Sequence, residues 1–192
     1  MKKIIAMLLA VMLVASMAAC GNTAGSNDTT GAKVDVPASA LEILEKVWGS
    51  YGDDEKFFCY GGLAGESMVE NAPGKVDIAD TDGLTYTLLV PADQTASIDD
   101  AASLVHGMLA NNFTCGVFHV TGDAKVFGEA MKTAVMNNQW MCGMPEKVLV
   151  SVIGGEYVLM AYGIGDAINP FQSKLAAAYP AAEQLFFDNI VQ

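Results

Sequence analysis

His106, Cys115, His119 and Cys142 carry the donor atoms in this chain best suited to a soft or borderline metal. Cys115 and His119 are four residues apart. That spacing puts both side chains on one face of a helix, and also on one face of a strand, where side chains alternate. With Cys142 and His106 they make four ligands of a chemistry that suits zinc or copper. Zinc sites usually show paired, closely spaced ligands, and the sequence has no such pairs. The same groups contain a nucleophile and a base, Cys142 with His119 or His106. Neither Gly-x-Ser-x-Gly nor Cys-x-x-Cys occurs, so nothing local marks a hydrolase or a thioredoxin-like pair. The reading assigns no catalytic residue and no cofactor. It keeps a metal- or thiol-dependent protein using Cys115, His119 and Cys142 as the alternative function. The plain reading of Cys59, Cys115 and Cys142 is three buried, inert thiols, because free cysteine is among the most buried residue types. A Cys115–Cys142 bridge is the next choice.

Other motifs are better explained by local structure. Gly163-Ile164-Gly165 has the start of a dinucleotide fingerprint, but Ile168 stands where the third glycine belongs, so a strand-to-helix turn is expected. Asp80-Thr81-Asp82-Gly83 resembles part of a calcium loop. Ile78 and Leu89 occupy the positions that would need acids, which leaves a helix cap with acids at its positive end. Asp53-Asp54-Glu55 and Asp99-Asp100 read as solvated turns. Phe57, Phe58, Tyr60, Trp140, Phe186 and Phe187 could line a groove, although Trp48 and Trp140 read as core. The seven methionines beyond residue 17 read as gap-fillers.

The elements that must position these side chains follow from periodicity. Ser39 and Glu42 form a capping box ahead of Leu41, Leu44, Val47 and Trp48 at helical spacing, and Gly49 and Gly52 end that helix. Glycines at 61, 62, 65 and 74 make residues 57–75 irregular, with a short element near Phe57. A short helix should start near Asp80 and stop before Pro91. Residues 97–106 fit either a helical face (Ile98, Ala101, Val105, Met108) or a strand. Residues 113–120 read as a strand, with Phe113, Cys115 and Val117 on one side and Phe118 and Val120 on the other. Asp123 caps the clearest helix, whose stripe is Phe127, Ala130, Met131, Ala134 and Val135. Residues 148–153 and 157–162 flank Gly154-Gly155 as a β-hairpin. A last helix is capped by Asp166 or Asn169, with Pro170 in its first turn and Pro180 at its end. Residues 183–188 read as an edge strand. Together these elements predict an α+β fold: a two-layer sandwich whose antiparallel sheet is covered on one face by two amphipathic helices, with an N-terminal helical extension.

The N-terminus reads as an export signal. Lys2 and Lys3 precede an unbroken apolar run over 4–14, followed by Ser16, Met17, Ala18, Ala19 and Cys20. A charged start, a short apolar run and small residues make a secretory signal peptide over 1–19. The run is shorter than the roughly 20 residues a membrane-spanning helix needs. Met17-Ala18-Ala19-Cys20 resembles the lipobox of bacterial lipoproteins, whose pattern prefers Leu where Met17 stands. That resemblance implies a diacylglycerol thioether on Cys20 and cleavage before it. One acyl chain holds a protein only marginally, whereas two or more hold it stably. Residues 20–36 are then a lipidated flexible tether of Gly, Asn, Thr, Ser and Asp, and 37–192 a single domain. The expected location is extracytoplasmic, with the membrane engaged through Cys20.

Charge narrows the partners. The whole chain carries −12, and loss of Lys2 and Lys3 takes it to −14. There is no arginine, which argues against nucleic acid and against bidentate phosphate recognition. An acidic surface is expected, repelled by anionic lipid headgroups, so the lipid must do the anchoring.

A second, looser resemblance covers the domain. Asp100-Ala101-Ala102-Ser103, the stretch 113–120, Asn138-Gln139-Trp140-Met141-Cys142 and the hairpin over 148–162 resemble small uncharacterised lipoproteins of anaerobic Gram-positive bacteria. The resemblance implies a strand near 99–106 and brings no activity and no catalytic residue. The functional expectation is a non-enzymatic binding or accessory module, with a protein or small-molecule partner. A purely structural envelope protein is the third possibility.

Overall fold

A computed structural model describes residues 36–63 and 65–191. The expected signal peptide at 1–19, the expected lipidation site Cys20 and all of the expected tether except Val36 lie outside the described residues. The centre of the fold is an antiparallel pair, β4 (Ile98–His106) and β5 (Phe113–Val120). Residues 98–106 are therefore a strand, and the helical pattern of Ile98, Ala101, Val105 and Met108 loses to sheet pairing. Every β5 residue except His119 is buried. Phe113, Cys115 and Val117 enter one apolar cluster, Phe118 and Val120 the other, as strand alternation requires.

The rest of the sheet grows outward from this pair. β6 (Lys147–Ile153) and β7 (Tyr157–Gly163) form the expected hairpin, and β7 pairs with β5. Gly154 and Gly155 turn it with φ of 63° and 87°, a region that glycine enters without steric cost. β8 (Glu183–Asn189) adds to β6 as an edge strand. On the other flank, β1 (Cys59–Gly61), β2 (Val69–Glu70) and β3 (Gly74–Lys75) are short, and β1 and β3 both pair with β4. The order is β2-β1-β4-β5-β7-β6-β8, with β3 beside β4. The glycines that make 57–75 look irregular let two backbones meet. A Cβ on Gly61 would lie 1.9 Å from the Gly74 amide nitrogen.

The protein is thus an α+β sandwich on an antiparallel sheet. Its cover differs from expectation in one respect: helices pack on both faces. α1 (Ala40–Gly49) and α3 (Gly165–Ala178) lie over one face, where Ile43, Leu44, Val47, Ile168 and Phe171 meet Leu104, Phe113, Cys115 and Leu159. α2 (Ala124–Met136) and a π-helical turn at Gly83–Thr87 cover the other, where Phe127, Met131 and Leu84 meet Phe118, Val150, Val158 and Met160. The physical reason lies in the strands. All seven β7 residues are buried, and a strand apolar on both faces needs two covers. The N-terminal helix is one of those covers and not an appendage.

Helix ends follow local chemistry in two cases and tertiary structure in the third. Ser39 Oγ accepts the Glu42 N–H at 3.1 Å, and the Glu42 carboxylate accepts the Ala38 N–H at 2.7 Å. Asp123 caps α2 by accepting the N–H groups of Lys125 and Val126. Neither Asp166 nor Asn169 caps α3. That helix starts at Gly165, whose N–H goes to the Glu146 carboxylate at 2.8 Å. Pro170 consequently falls in the second turn and not the first. The carbonyl it deprives of a partner belongs to exposed Asp166, where solvent can serve instead. At 80–90 the expected short helix is a mixed α/π turn, with Asp80 accepting the Gly83 N–H at 2.9 Å. Among the described residues no helix is long and apolar enough to cross a membrane.

Candidate functional site at the two ends of the central strands

The four predicted donors do not converge. Cys115 and His119 do share a face of β5, but four strand residues span about 13 Å. Two ligands of one zinc ion, each bonded at about 2.0 to 2.3 Å, must lie much closer. Cys115 is fully buried in the cluster under α1 and α3, and burial pushes its thiol well above the ordinary value. Cys59 is also buried, and burial raises it to about 11 despite nearby Lys56. Cys142 is exposed, and all three thiols are free, so the Cys115–Cys142 bridge does not form. The reading of three buried thiols is corrected at Cys142. After α2 the chain turns through φ of 62° at Cys142 and 115° at Gly143, which holds this thiol outside. Among the described residues no group of three or more His, Cys, Asp or Glu is placed to hold a metal ion.

The chemistry is instead divided between the two ends of β4 and β5. At the far end, a β-bulge between Ile98 and Asp100 disturbs the ladder opposite His119. A bulge bends the strand and re-aims side chains, and here it presents two consecutive carboxylates. His119 Nδ1 bonds to Asp99 Oδ1, and His119 Nε2 lies 3.6 Å from Glu156 Oε2. The ring packs on Tyr157 at 4.8 Å. Partial burial pulls the His119 pKa down, but the hydrogen bond and charge of Asp99, then those of Glu156, outweigh it and raise the value. Asp100 accepts the Ala40 N–H at 2.7 Å, a carboxylate on the positive end of α1. Lys75 Nζ stands 3.6 Å from the other Asp100 oxygen. Asp99-Asp100 is therefore a structural junction and not a solvated turn.

A groove opens beside this junction. Ser67, Lys75, Val76, Asp77, Ile78 and Asp99 line a volume of about 320 Å³. It offers one ammonium, two carboxylates and a hydroxyl over two aliphatic side chains. No spacing in the chain marks this groove, because β3 is two residues long and the lining comes from distant segments.

The near end holds His106. Its Nδ1 accepts the N–H groups of Met108 and Leu109 at 3.2 and 3.3 Å. Accepting there requires the unprotonated nitrogen, so the ring is neutral with its proton on Nε2. Phe57 stacks on it at 5.3 Å, and burial lowers its pKa, opposed in part by a hydrogen bond with its own backbone. Beyond it the β4–β5 connection meets the loop after α2. Asn111 Nδ2 donates to the carbonyls of Met141 and Gly143, both at 2.7 Å. Met108 and Met141 are each 79% exposed, and Met144 39%. Met131 and Met160 fill core gaps as expected, whereas these three do not. The signal was present: Met141, Cys142 and Met144 sit in a short stretch between a helix and a hairpin.

The candidate aromatic groove is not one feature. Trp48 is buried and meets Phe57 at 5.1 Å, while Trp140 packs on Tyr162 at 4.9 Å on the other face. Phe186 and Phe187, neighbours on β8, fall to opposite clusters. No protein-family model, no curated protein and no solved structure matches this chain.

Proposed function

We propose that the chain is an extracytoplasmic lipoprotein, held to the bacterial cell membrane through lipid on Cys20, whose α+β domain is a non-enzymatic binding or accessory module. The anchor rests on Lys2-Lys3, the apolar run over 4–14 and Met17-Ala18-Ala19-Cys20. The binding role rests on one observation, the groove of about 320 Å³ lined by Ser67, Lys75, Val76, Asp77, Ile78 and Asp99. Its volume is at the small end of ligand sites, and a few polar groups over apolar walls are what orient a small ligand. Charges of both signs beside Val76 and Ile78 suit a small zwitterionic solute with an aliphatic part. The strongly acidic chain, without arginine, disfavours nucleic acid. The alternative based on Cys115, His119 and Cys142 is not carried forward, because the two β5 residues are too far apart along their strand.

Two experiments test the two halves of this reading. Wild-type chain should pellet with membranes, and Cys20→Ala should appear in the soluble fraction. A variant that pellets like wild type removes the anchor. For the module, backbone amide spectra of the chain titrated with zwitterionic amino acids and dipeptides should shift within 65–78 and 97–100. Unmoved spectra throughout the series remove the groove as a ligand site.

A further inference from the structure

We propose that the near end of the sheet is a binding site for copper(I), held by the Cys142 thiolate and the thioethers of Met108, Met141 and Met144. The proposal is independent of the groove and uses neither Cys115 nor His119.

Two observations of different kinds point there. The first is exposure of the wrong side chains. Met108 and Met141 leave 79% of their surface in water, and Cys142 between Met141 and Met144 is also exposed. Methionine left in water forgoes the free energy that burying its side chain would gain. The same chain buries Met131 and Met160 completely. The second is that the two loops bearing these sulfurs are fastened together. One Asn111 amide donates to the carbonyls on both sides of Cys142, at 2.7 Å each. Leu109 comes within 3.6 Å of the Cβ position of Gly143. Met108 is the neighbour of Leu109, so its thioether starts from the loop that Asn111 ties to Cys142. The left-handed φ of 62° at Cys142 sets the turn between Met141 and Met144.

The donor set selects the ion. Thiolate and thioether are soft ligands, which favour copper(I) over the hard cations that prefer oxygen. Thioethers need no deprotonation, and the thiol loses one proton on binding: Cys142–SH plus Cu⁺ gives Cys142–S–Cu plus H⁺. Copper arrives and stays as Cu(I), so no electron is transferred. One thiolate then balances one cation, and the site is neutral in its filled state.

The test uses full-length chain in detergent, reduced and without oxygen, titrated with Cu(I) against bicinchoninate. One equivalent should be withdrawn from the coloured competitor. Cys142→Ser and the triple variant Met108→Leu, Met141→Leu, Met144→Leu should each weaken binding at least tenfold. Met68→Leu, an exposed methionine elsewhere, should leave it unchanged. Leucine keeps the apolar surface and removes the sulfur, so a docking face for an apolar partner predicts no loss in the triple variant. Silver(I), a redox-inert probe, should shift the methyl signals of Met108, Met141 and Met144 and not those of Met131 and Met160. No copper withdrawn, or a triple variant that binds like wild type, overturns the proposal.

Discussion

At one end of the β4–β5 ladder His119 lies between Asp99 and Glu156. At the other, His106 accepts two backbone N–H groups on a single ring nitrogen. Both rings are partly exposed and both pack against an aromatic neighbour, His119 tilted on Tyr157 and His106 stacked on Phe57. Burial pulls both pKa values down, yet they move in opposite directions. The difference teaches that carboxylate partners decide: beside Asp99 and Glu156 the His119 value rises against burial, whereas the His106 value follows burial down. Carboxylates raise the His119 pKa and so favour its cationic form, which fastens the β4 bulge to the β6–β7 turn. Burial favours a neutral His106, whose Nδ1 accepts two backbone N–H groups and shapes the start of the β4–β5 connection.

The ends also differ in what lies beneath them, and the largest predicted effect exploits that. Phe113, just behind the near end, is fully buried and packs against Phe57 and Phe171 at 5.3 and 5.0 Å. Phe113→Ala should cost about 3 to 5 kcal/mol, read from urea unfolding. His119→Ala at the far end removes an exposed ion pair and should cost about 1 kcal/mol or less. Equal losses would end the distinction between a core-backed end and a surface-clamped one. Next in size is Asn111→Ala, which deletes both bonds to the Cys142 turn. It should cost about 1 to 2 kcal/mol and speed the reaction of Cys142 with a thiol reagent. An unchanged rate and midpoint would show that Asn111 does not pin the two loops.

The smallest effect is the pH dependence, where the two histidines have opposite signs. For His119 the folded pKa is raised. Its stabilisation is complete below the unfolded value of about 6.5 and is lost as pH rises through the folded value. For His106 the folded pKa is lowered. Its stabilisation is complete above about 6.5 and is lost as pH falls through the folded value. Asp99→Asn should therefore flatten the stability change above pH 6.5 and leave the acid side as it is. Urea midpoints measured on both sides of that pH decide it, and a flattened acid side would assign the groups the wrong way round.

The sheet was largely legible because its signals are local. The β5 alternation, the Gly154-Gly155 turn and the caps at Ser39 and Asp123 depend on residues within a few positions of one another. The second helical layer was hidden, since a strand apolar at every position looks the same whichever element covers it. The start of α3 was misplaced because its capping acceptor, Glu146, lies 19 residues from Gly165. The candidate sites were less legible still. Cys115 and His119 do fall on one face, but periodicity reports the face and not the distance along it. The bulge at Asp99 and the Asn111 bridge arise only when distant segments meet, so no spacing in the chain announces them.

The most direct test of the two-ended account is a proton NMR titration of the ring Cε1–H signals, which the chain's two histidines make simple to assign through His106→Gln. The account predicts one midpoint above about 6.5, belonging to His119, and one below it, belonging to His106. Two midpoints together near 6.5, or the reverse order, would contradict it.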